Sequence, residues 1–327
     1  MTQTDGSTVT GKGHKHGLSA TDAAISALTN RIDALERRVT ELEKPDPAPA
    51  PPPPGVPAFL SRPAHAPYNI GGGAKDVLIE NVSIRGGIGL AIYIQGVNGD
   101  IVIQDVDIAD MVGHIFLQNC TGTLTIQRVR SRNAGDGSIG SGKSNHIQLN
   151  GCTFDGAIRD SMFLGGKTED MLSVYQSGGY GPGRELVIED NALQGLVTDT
   201  PTVKAWTSAS GTGIIVGDGP GSAKNGYTIV RRNTLLTPGQ VGIQHIDGPG
   251  IQTYDNVIFG ERRRYNNNPI TSWEGNPKGV IRDNRYWWTN EDGSHPGPWM
   301  HQNPSGMVLS GNVADSSIDP ATLQVVL

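Results

Sequence analysis

Val187-Ile188-Glu189-Asp190-Asn191 is a phrase that this chain repeats. It returns as Val280-Ile281-Arg282-Asp283-Asn284, and in looser form over 229–233, 252–256 and 308–312. Upstream it reads Val77-Leu78-Ile79-Glu80-Asn81 and Ile101-Val102-Ile103-Gln104-Asp105, then recurs over 124–128 and 147–151. The closing slot therefore falls at 81, 105, 128, 151, 191, 233, 256, 284 and 312. A basic period of about 23 residues with longer returns is the mark of a solenoid. Apolar residues alternate before each slot, as in Val77/Ile79 and Ile101/Ile103, which is strand periodicity. From 191 onward the slot holds Asn, and at 151 it holds Gly. Both tolerate a left-handed backbone, so the slot reads as a sharp corner between strands. The unit is too short for a strand plus a crossover helix, about 30 residues, and suits three short strands joined by turns. Gly99, Gly122, Gly221, Gly250, Gly279 and Gly306 precede the next phrase as a second marker.

The pattern resembles the right-handed parallel β-helix of pectate-lyase-like enzymes and bacteriophage tailspikes, including its Asn ladder at one turn. The resemblance covers residues 65 to 327 and implies an all-β solenoid. Nine corners give about nine coils, and strands stacked at about 4.8 Å give a body on the order of 40 Å long. Many functions share that fold, so activity has to be read from residues.

The 327 residues include 45 Gly, carry 18% charged residues and have a formal net charge of −6. Glycine richness without a strict triplet excludes collagen and fits tight corners. The negative balance argues against nucleic acid as a partner. The basic run Arg262-Arg263-Arg264 reads as a solvated loop, with an acidic glycan contact as the alternative. Two cysteines, Cys120 and Cys152, make neither a disulfide framework nor a zinc site. Cys152 falls in the small apolar slot after a corner, filled elsewhere by Val82, Val106 and Val129, so it is expected to pack in the core. No stretch has the apolar length of a membrane span, roughly 20 residues, and the start lacks a signal peptide's apolar core. A β-helix without an export signal would reach the outside by another route, such as virion release on host lysis.

The region ahead of the solenoid divides in three. Residues 1–17 are polar and aperiodic and read as a flexible arm in which His14 and His16 carry little weight as metal ligands. Residues 18–44 hold a coiled-coil seam, Ile25, Leu28, Ile32, Leu35, Val39 and Leu42, capped by Ser19 or Thr21 and stopped by Pro45. About three heptads are marginal alone, so the helix needs an assembly. β-branched residues with Leu point to two strands, whereas Arg31 to Glu36 resembles a trimerisation motif in which Arg31 pairs with Glu36 of a neighbour. The motif decides for a homotrimer. Residues 45–57 are a Pro-rich linker holding two bodies apart, and 58–327 form the β-helix. Long returns with Gly178 to Gly183 and with Trp206 are candidate binding loops or simple shields. The segment from Ile318 to Leu327 reads as an end cap.

In polysaccharide-active β-helices the substrate lies along outward side chains of one sheet. Aligning coils on the marker glycines puts Gly96, Asn119, Asp218, Asp247, Asn276 and Asn303 in one position. Asp218-Gly219-Pro220-Gly221 and Asp247-Gly248-Pro249-Gly250 match almost residue for residue. On neighbouring coils the two carboxylates would stand about one strand spacing apart, near the roughly 5 Å of retaining glycosidases, and repulsion would raise one pKa. Asp-Gly is also plain turn chemistry, and a calcium site is a third reading. No cofactor is required. The same alignment brings in His245 and Glu274 as catalytic candidates beside the two aspartates. It offers Tyr93, Gln95, Gln118, Gln244, Trp273, His301 and Gln302 as sugar-binding candidates, with Phe116 nearby. A one-residue slip in phase would bury His245 or Glu274. Trp287, Trp288 and Trp299 read as core or cap.

Three readings of function follow. The first is a homotrimeric tailspike or minor tail protein of a bacteriophage, located in the virion and acting outside the host cell. Its arm would join other tail proteins, and its β-helix would bind host surface polysaccharide. The second is a polysaccharide hydrolase, lyase or epimerase of the pectate-lyase-like class, compatible with the first. The third is a structural tail-tip module.

Overall fold

The computed structural model describes residues 63–135, 144–196, 209–236, 239, 241–261, 268–275, 279–289 and 307–323. The chain divides into two units, Met1–Leu60 and Ser61–Leu327. The arm, the seam residues Ile25, Leu28, Arg31, Ile32, Leu35, Glu36, Val39 and Leu42, and the Pro-rich stretch lie outside the described residues. So do Arg262 to Arg264, Trp299, His301 and Gln302.

The second unit is all-β. Among the described residues there are 22 strands in one sheet, every strand-to-strand pairing is parallel, and the one helix is Pro320–Leu323. Each segment pairs with its equivalent one coil earlier and one coil later, so the register resolves into three faces. On the first face the inward column runs Ile79, Ile103, Ile126, Ile158, Ile188, Val230, Thr253, Ile281, Leu309. On the second it runs Ile84, Ile108, Ser131, Phe163, Leu193, Leu235, Ile258, Tyr286, Ala314. On the third it runs Ile70, Ile94, Leu117, Leu149, Val174, Val216, His245, Ser272. Period-two alternation turns these residues inward, where most of the aliphatic ones are fully buried. A parallel β-solenoid with nine strands on its first face accounts for the pattern.

The corners fall on the expected slots at 81, 105 and 128 and one residue before them at 191, 233, 256, 284 and 312. Asn81, Asp105, Arg128, Asp160, Asp190, Arg232, Asp255 and Asp283 have φ between 50° and 57°, and Gly311 has φ 63°. In the later coils the left-handed residue is therefore the one before the Asn. The Asn itself has turned inside. Residue 151 belongs to a different corner, between the third and first faces, with Gly96 (φ 68°), Asn119 (φ 52°) and Gln176 (φ 46°). Its coil has its first-to-second corner at Asp160. Cys152 accordingly lines up with Val97 and Cys120 rather than with Val82, and both thiols are wholly buried.

Inside the first corner, Asn191, Asn233, Asn256, Asn284 and Asn312 form a ladder. Each Nδ2 donates to the next Oδ1, at 3.0, 3.0, 2.9 and 2.8 Å in turn. Each backbone N–H donates to the same oxygen, at 3.1, 2.9, 3.1 and 3.2 Å. The remaining Nδ2 proton goes to backbone carbonyls: Asn256, for example, reaches Val230 O and Tyr254 O, each at 3.0 Å. Ser161 extends the ladder upstream, its N–H donating to Asn191 Oδ1 at 3.2 Å and its hydroxyl accepting from Val129 N–H at 3.1 Å. A buried amide would cost several kcal/mol unbonded, and here both ends are used.

Replacing Asn256 with Ala removes the acceptor shared by the Asn233 backbone N–H and one Asn233 Nδ2 proton, and the donor to Asn284 Oδ1, in a dry interior. A destabilisation of about 3 kcal/mol or more is expected in urea unfolding, at about 1–3 kcal/mol per unsatisfied group. Asn312→Ala, at the partly exposed end, should cost clearly less. Equal losses would contradict the ladder.

Candidate functional site

The third face carries the outward columns on which the sequence candidates fall. One column runs Gln95, Gln118, Asn150, Tyr175, Asp218 over five successive coils. Asp247 follows on the next coil, two residues past His245 as Asp218 is two residues past Val216. A β-bulge at 216/218 and another at 245/247 set the two aspartates at the ends of their strands. The neighbouring column runs Asn69, Tyr93, Phe116, Gln148, Ser173, Ile215, Gln244, Thr271. These residues point outward by alternation, yet Gln148, Ser173, Ile215 and Thr271 are buried. This column is therefore shielded along its middle rather than open to solvent.

Tyr93, Gln95 and Gln118 come together. Tyr93 Oη lies 2.6 Å from Gln118 Oε1 and 3.0 Å from Gln95 Oε1, and the Tyr93 and Phe116 rings are 5.7 Å apart. Tyr175 leans on the corner at Gly219, where any Cβ would meet its ring at 3.1 Å and Gln176 Cγ at 2.7 Å. Only Gly fits there, and φ is +75°. Thr271 Oγ1 is buried on this face without a hydrogen-bond partner. Trp273 and Glu274 lie in the strand Ile270–Gly275, with side chains outside the described set.

The two aspartates act first as turn acceptors. Asp218 Oδ1 accepts the Gly219 N–H at 2.8 Å, and Asp247 Oδ2 accepts the Gly221 N–H across the coils at 2.6 Å. Burial pushes the Asp218 carboxyl up and the Gly219 N–H opposes it, with no contribution from Asp247. The expected mutual repulsion of the pair is therefore not what tunes Asp218. Asn225 braces this corner, its Nδ2 donating to Gly217 O at 3.1 Å and Gly219 O at 3.0 Å.

His245 stands inside the solenoid, between Val216 and Ser272, and is wholly buried with Nε2 2.6 Å from Thr253 Oγ1. Burial pulls it down to about 3. A polymer on the outer face does not meet it. The reason is phase: Gln244 takes the outward position and the next residue must turn in.

One residue absent from the sequence candidates is Asp170, which pairs with Thr212 at the edge of this face. Its carboxyl is pushed well above the usual range by burial, then by the charges of Glu169 and Asp218, against hydrogen bonds from Thr212 and Ser173. It lies within electrostatic reach of Asp218. Its backbone N–H is held by Asn145 Oδ1 at 3.1 Å, and Asn145 Nδ2 donates to Gln148 Oε1 at 2.7 Å. The weak signal for it was Glu169-Asp170, two acids in a stretch read as an excursion.

A second buried polar group lies inside the corner between the second and third faces. Ser131 Oγ sits 2.5 Å from His114 Nδ1 and 2.6 Å from His146 Nδ1, while His146 Nε2 is 2.9 Å from Gly165 O. Nε2–H of His146 must donate to that carbonyl, so its Nδ1 accepts the serine proton and His114 Nδ1–H donates to the serine oxygen. Burial lowers His146 to about 4 and His114 well below its ordinary value. All three groups are sealed from solvent, which makes this packing chemistry rather than a nucleophile. Among the described residues no group of three or more His, Cys, Asp or Glu could hold a metal ion, and no helix is long and apolar enough to cross a membrane.

No family model, curated protein or solved structure matches the chain. The residues themselves carry the functional argument.

His146, His245 and His114 are neutral in the fold and have an unfolded pKa near 6.5. A lowered folded pKa means their stability contribution is complete above about pH 6.5 and is lost as pH falls toward about 4 for His146 and about 3 for His245. Asp170, with a raised pKa, works in the opposite sense. In an Asp170→Asn background the thermal midpoint should therefore drop from about pH 7 to pH 4.5, and a flat profile would contradict the buried placement.

Proposed function

We propose that the second unit is a right-handed parallel β-helix whose third face binds a cell-surface polysaccharide. On this reading the chain is a homotrimeric tailspike or minor tail protein of a bacteriophage, located in the virion. Right-handedness follows from the general preference of parallel crossovers. The observation that carries the binding reading is the column Gln95, Gln118, Asn150, Tyr175, Asp218 on consecutive coils. A row of amides, a phenol and a carboxylate at a spacing of about 4.8 Å offers hydroxyl partners along an extended chain of sugars. Tyr93 and Tyr175, both half-buried, offer ring faces for the apolar side of a pyranose. The seam around Arg31 and Glu36 supports trimerisation, which multiplies weak contacts on a repetitive polymer. The polar arm is assigned to the tail and the Pro-rich stretch to a spacer.

The test is binding of purified chain to an array of bacterial surface polysaccharides, followed by calorimetry on the best hit. Tyr175→Ala and Gln118→Ala should each weaken it about tenfold, the equivalent of about 1.4 kcal/mol. Full affinity in both variants would remove the third face from the account.

Asp170 favours cleavage as a second reading. A carboxyl held well above its ordinary range by burial, within reach of a second carboxyl at Asp218, is the kind of unequal pair that glycoside hydrolysis divides between acid and base. Its raised pKa costs stability at neutral pH, a cost that proteins accept at working sites. Asp170→Asn should therefore raise the thermal midpoint at pH 7, lose that gain near pH 4, and abolish reducing-end release from the bound polysaccharide. A stabilised variant with undiminished release would leave Asp170 without a catalytic part.

A further inference from the structure

The outside of the first face is left unused by this function. Register places its outward side chains in two columns. One runs from Leu78 to Val308 through Val102, Ala157, Val187, Ile229 and Val280, interrupted only at Thr125 and Gln252. No position in it carries a charge. The other, from Glu80 to Ser310, is largely polar and bonds along the stack. Gln104 Nε2 donates to Glu80 Oε2 and Gln127 Nε2 to Gln104 Oε1, both at 2.8 Å, and Arg231 Nε donates to Glu189 Oε2 at 2.7 Å. Further on, the Arg282 guanidinium lies 4.2 Å from the centre of the Tyr254 ring.

The aliphatic column is open to solvent. Leu78 and Val308, each with a neighbour in the column on one side only, are 62% and 57% exposed. The aliphatic members between them are half-buried, as side chains stacked at about 4.8 Å must be when they cover one another. Apolar residues on both sides of a strand, as in Val77-Leu78-Ile79, Ile101-Val102-Ile103 and Leu186-Val187-Ile188, are the pattern of a parallel sheet covered on both sides. Here the core covers only the inner side.

Whatever covers the outer side must match a straight line of aliphatic side chains repeating at about 4.8 Å over about 40 Å. A sugar polymer would leave its hydroxyls unbonded against them. A second copy of this chain carries the same column at the same repeat, and a closed cyclic assembly about an axis along the stack brings equal heights together. Nine strands about four residues wide make a panel of roughly 500 Å² per copy. Two panels reach the roughly 1,000 Å² of a specific contact, with the apolar centre and polar margin that such contacts have.

We propose that the outward column from Leu78 to Val308 is the contact between copies of this chain, equal residues meeting at equal heights. This rests on the homotrimer reading, adds which face the copies share, and leaves the third face free for its ligand.

Cysteine cross-linking of the full chain tests it, since the native Cys120 and Cys152 thiols are sealed inside. Leu78→Cys, Val187→Cys and Val308→Cys, each oxidised by air with a copper catalyst, should join two chains through a disulfide between equal positions. Light scattering should give the mass of three chains. Gln95→Cys, exposed on the third face, should stay uncrosslinked. Three chains lacking the cross-link at any of the three positions, or cross-linking equally through Gln95→Cys, would overturn the shared face and leave the trimer standing. Two chains with all three cross-links would keep the shared face and sink the trimer. The mass of a single chain would sink both, and the polysaccharide reading would remain.

Discussion

The interior of this solenoid is crossed at every coil by a corner, and each corner brings polar backbone into a space that must stay dry. The Asn ladder resolves that conflict. A side-chain amide has two donors and two lone pairs, the number that a stacked position demands. It bonds the coil on one side through Oδ1, the coil on the other through Nδ2, and with its second proton the carbonyls of Tyr254 nearby and Val230 one coil back, as at Asn256. Serine at 161 and the thiols at the third corner serve the same need more weakly: Cys120 N–H points to Cys152 Sγ at 3.4 Å, and Cys152 N–H to Ser177 Oγ at 2.8 Å. Parallel stacking elsewhere follows from aliphatic columns, and without satisfied corners those columns would have no fixed register.

A fixed register is what gives the outside meaning. Side chains far apart in sequence, such as Gln95 and Asp218, share a column because every coil repeats the same advance. The bulges after Val216 and His245 re-aim the two aspartates toward the corner, where they hold glycine N–H groups. The gathering of arginines around Asp107 is equally a product of stacking, since one acid meets cations from the coils before and after it. Charge at the corners follows the same rule: Arg128 bridges to Asp105 and Arg232 to Asp190, one coil apart in each case.

Much of the architecture was legible in the sequence because strand alternation and corner residues recur within one period. The phase was harder to read. Asn favours a left-handed corner and also an internal ladder, so a repeating Asn cannot say by itself which role it has. Asp190, one residue earlier, proves to carry the positive φ. The slot at 151 was misassigned because all three faces share one alternation, and Ile147 to Gly151 on the third face imitates a first-face phrase. That slip hid the corner at Asp160, and with it Asn150 and Tyr175 as members of the outer column. His245 against Gln244 turned on a single step of phase. Asp170 and the Arg85–Asp107–Arg132 cluster carry no local motif; only contact between coils brings them together.

The central claim is that buried asparagine side chains bond coil to coil. Hydrogen exchange of the side-chain amides in protein labelled with nitrogen-15 asparagine tests it most directly. Asn233, Asn256 and Asn284 should exchange as slowly as the core backbone, orders of magnitude slower than the exposed Asn133 side chain. Exchange at the same rate as Asn133 would mean that the ladder does not exist.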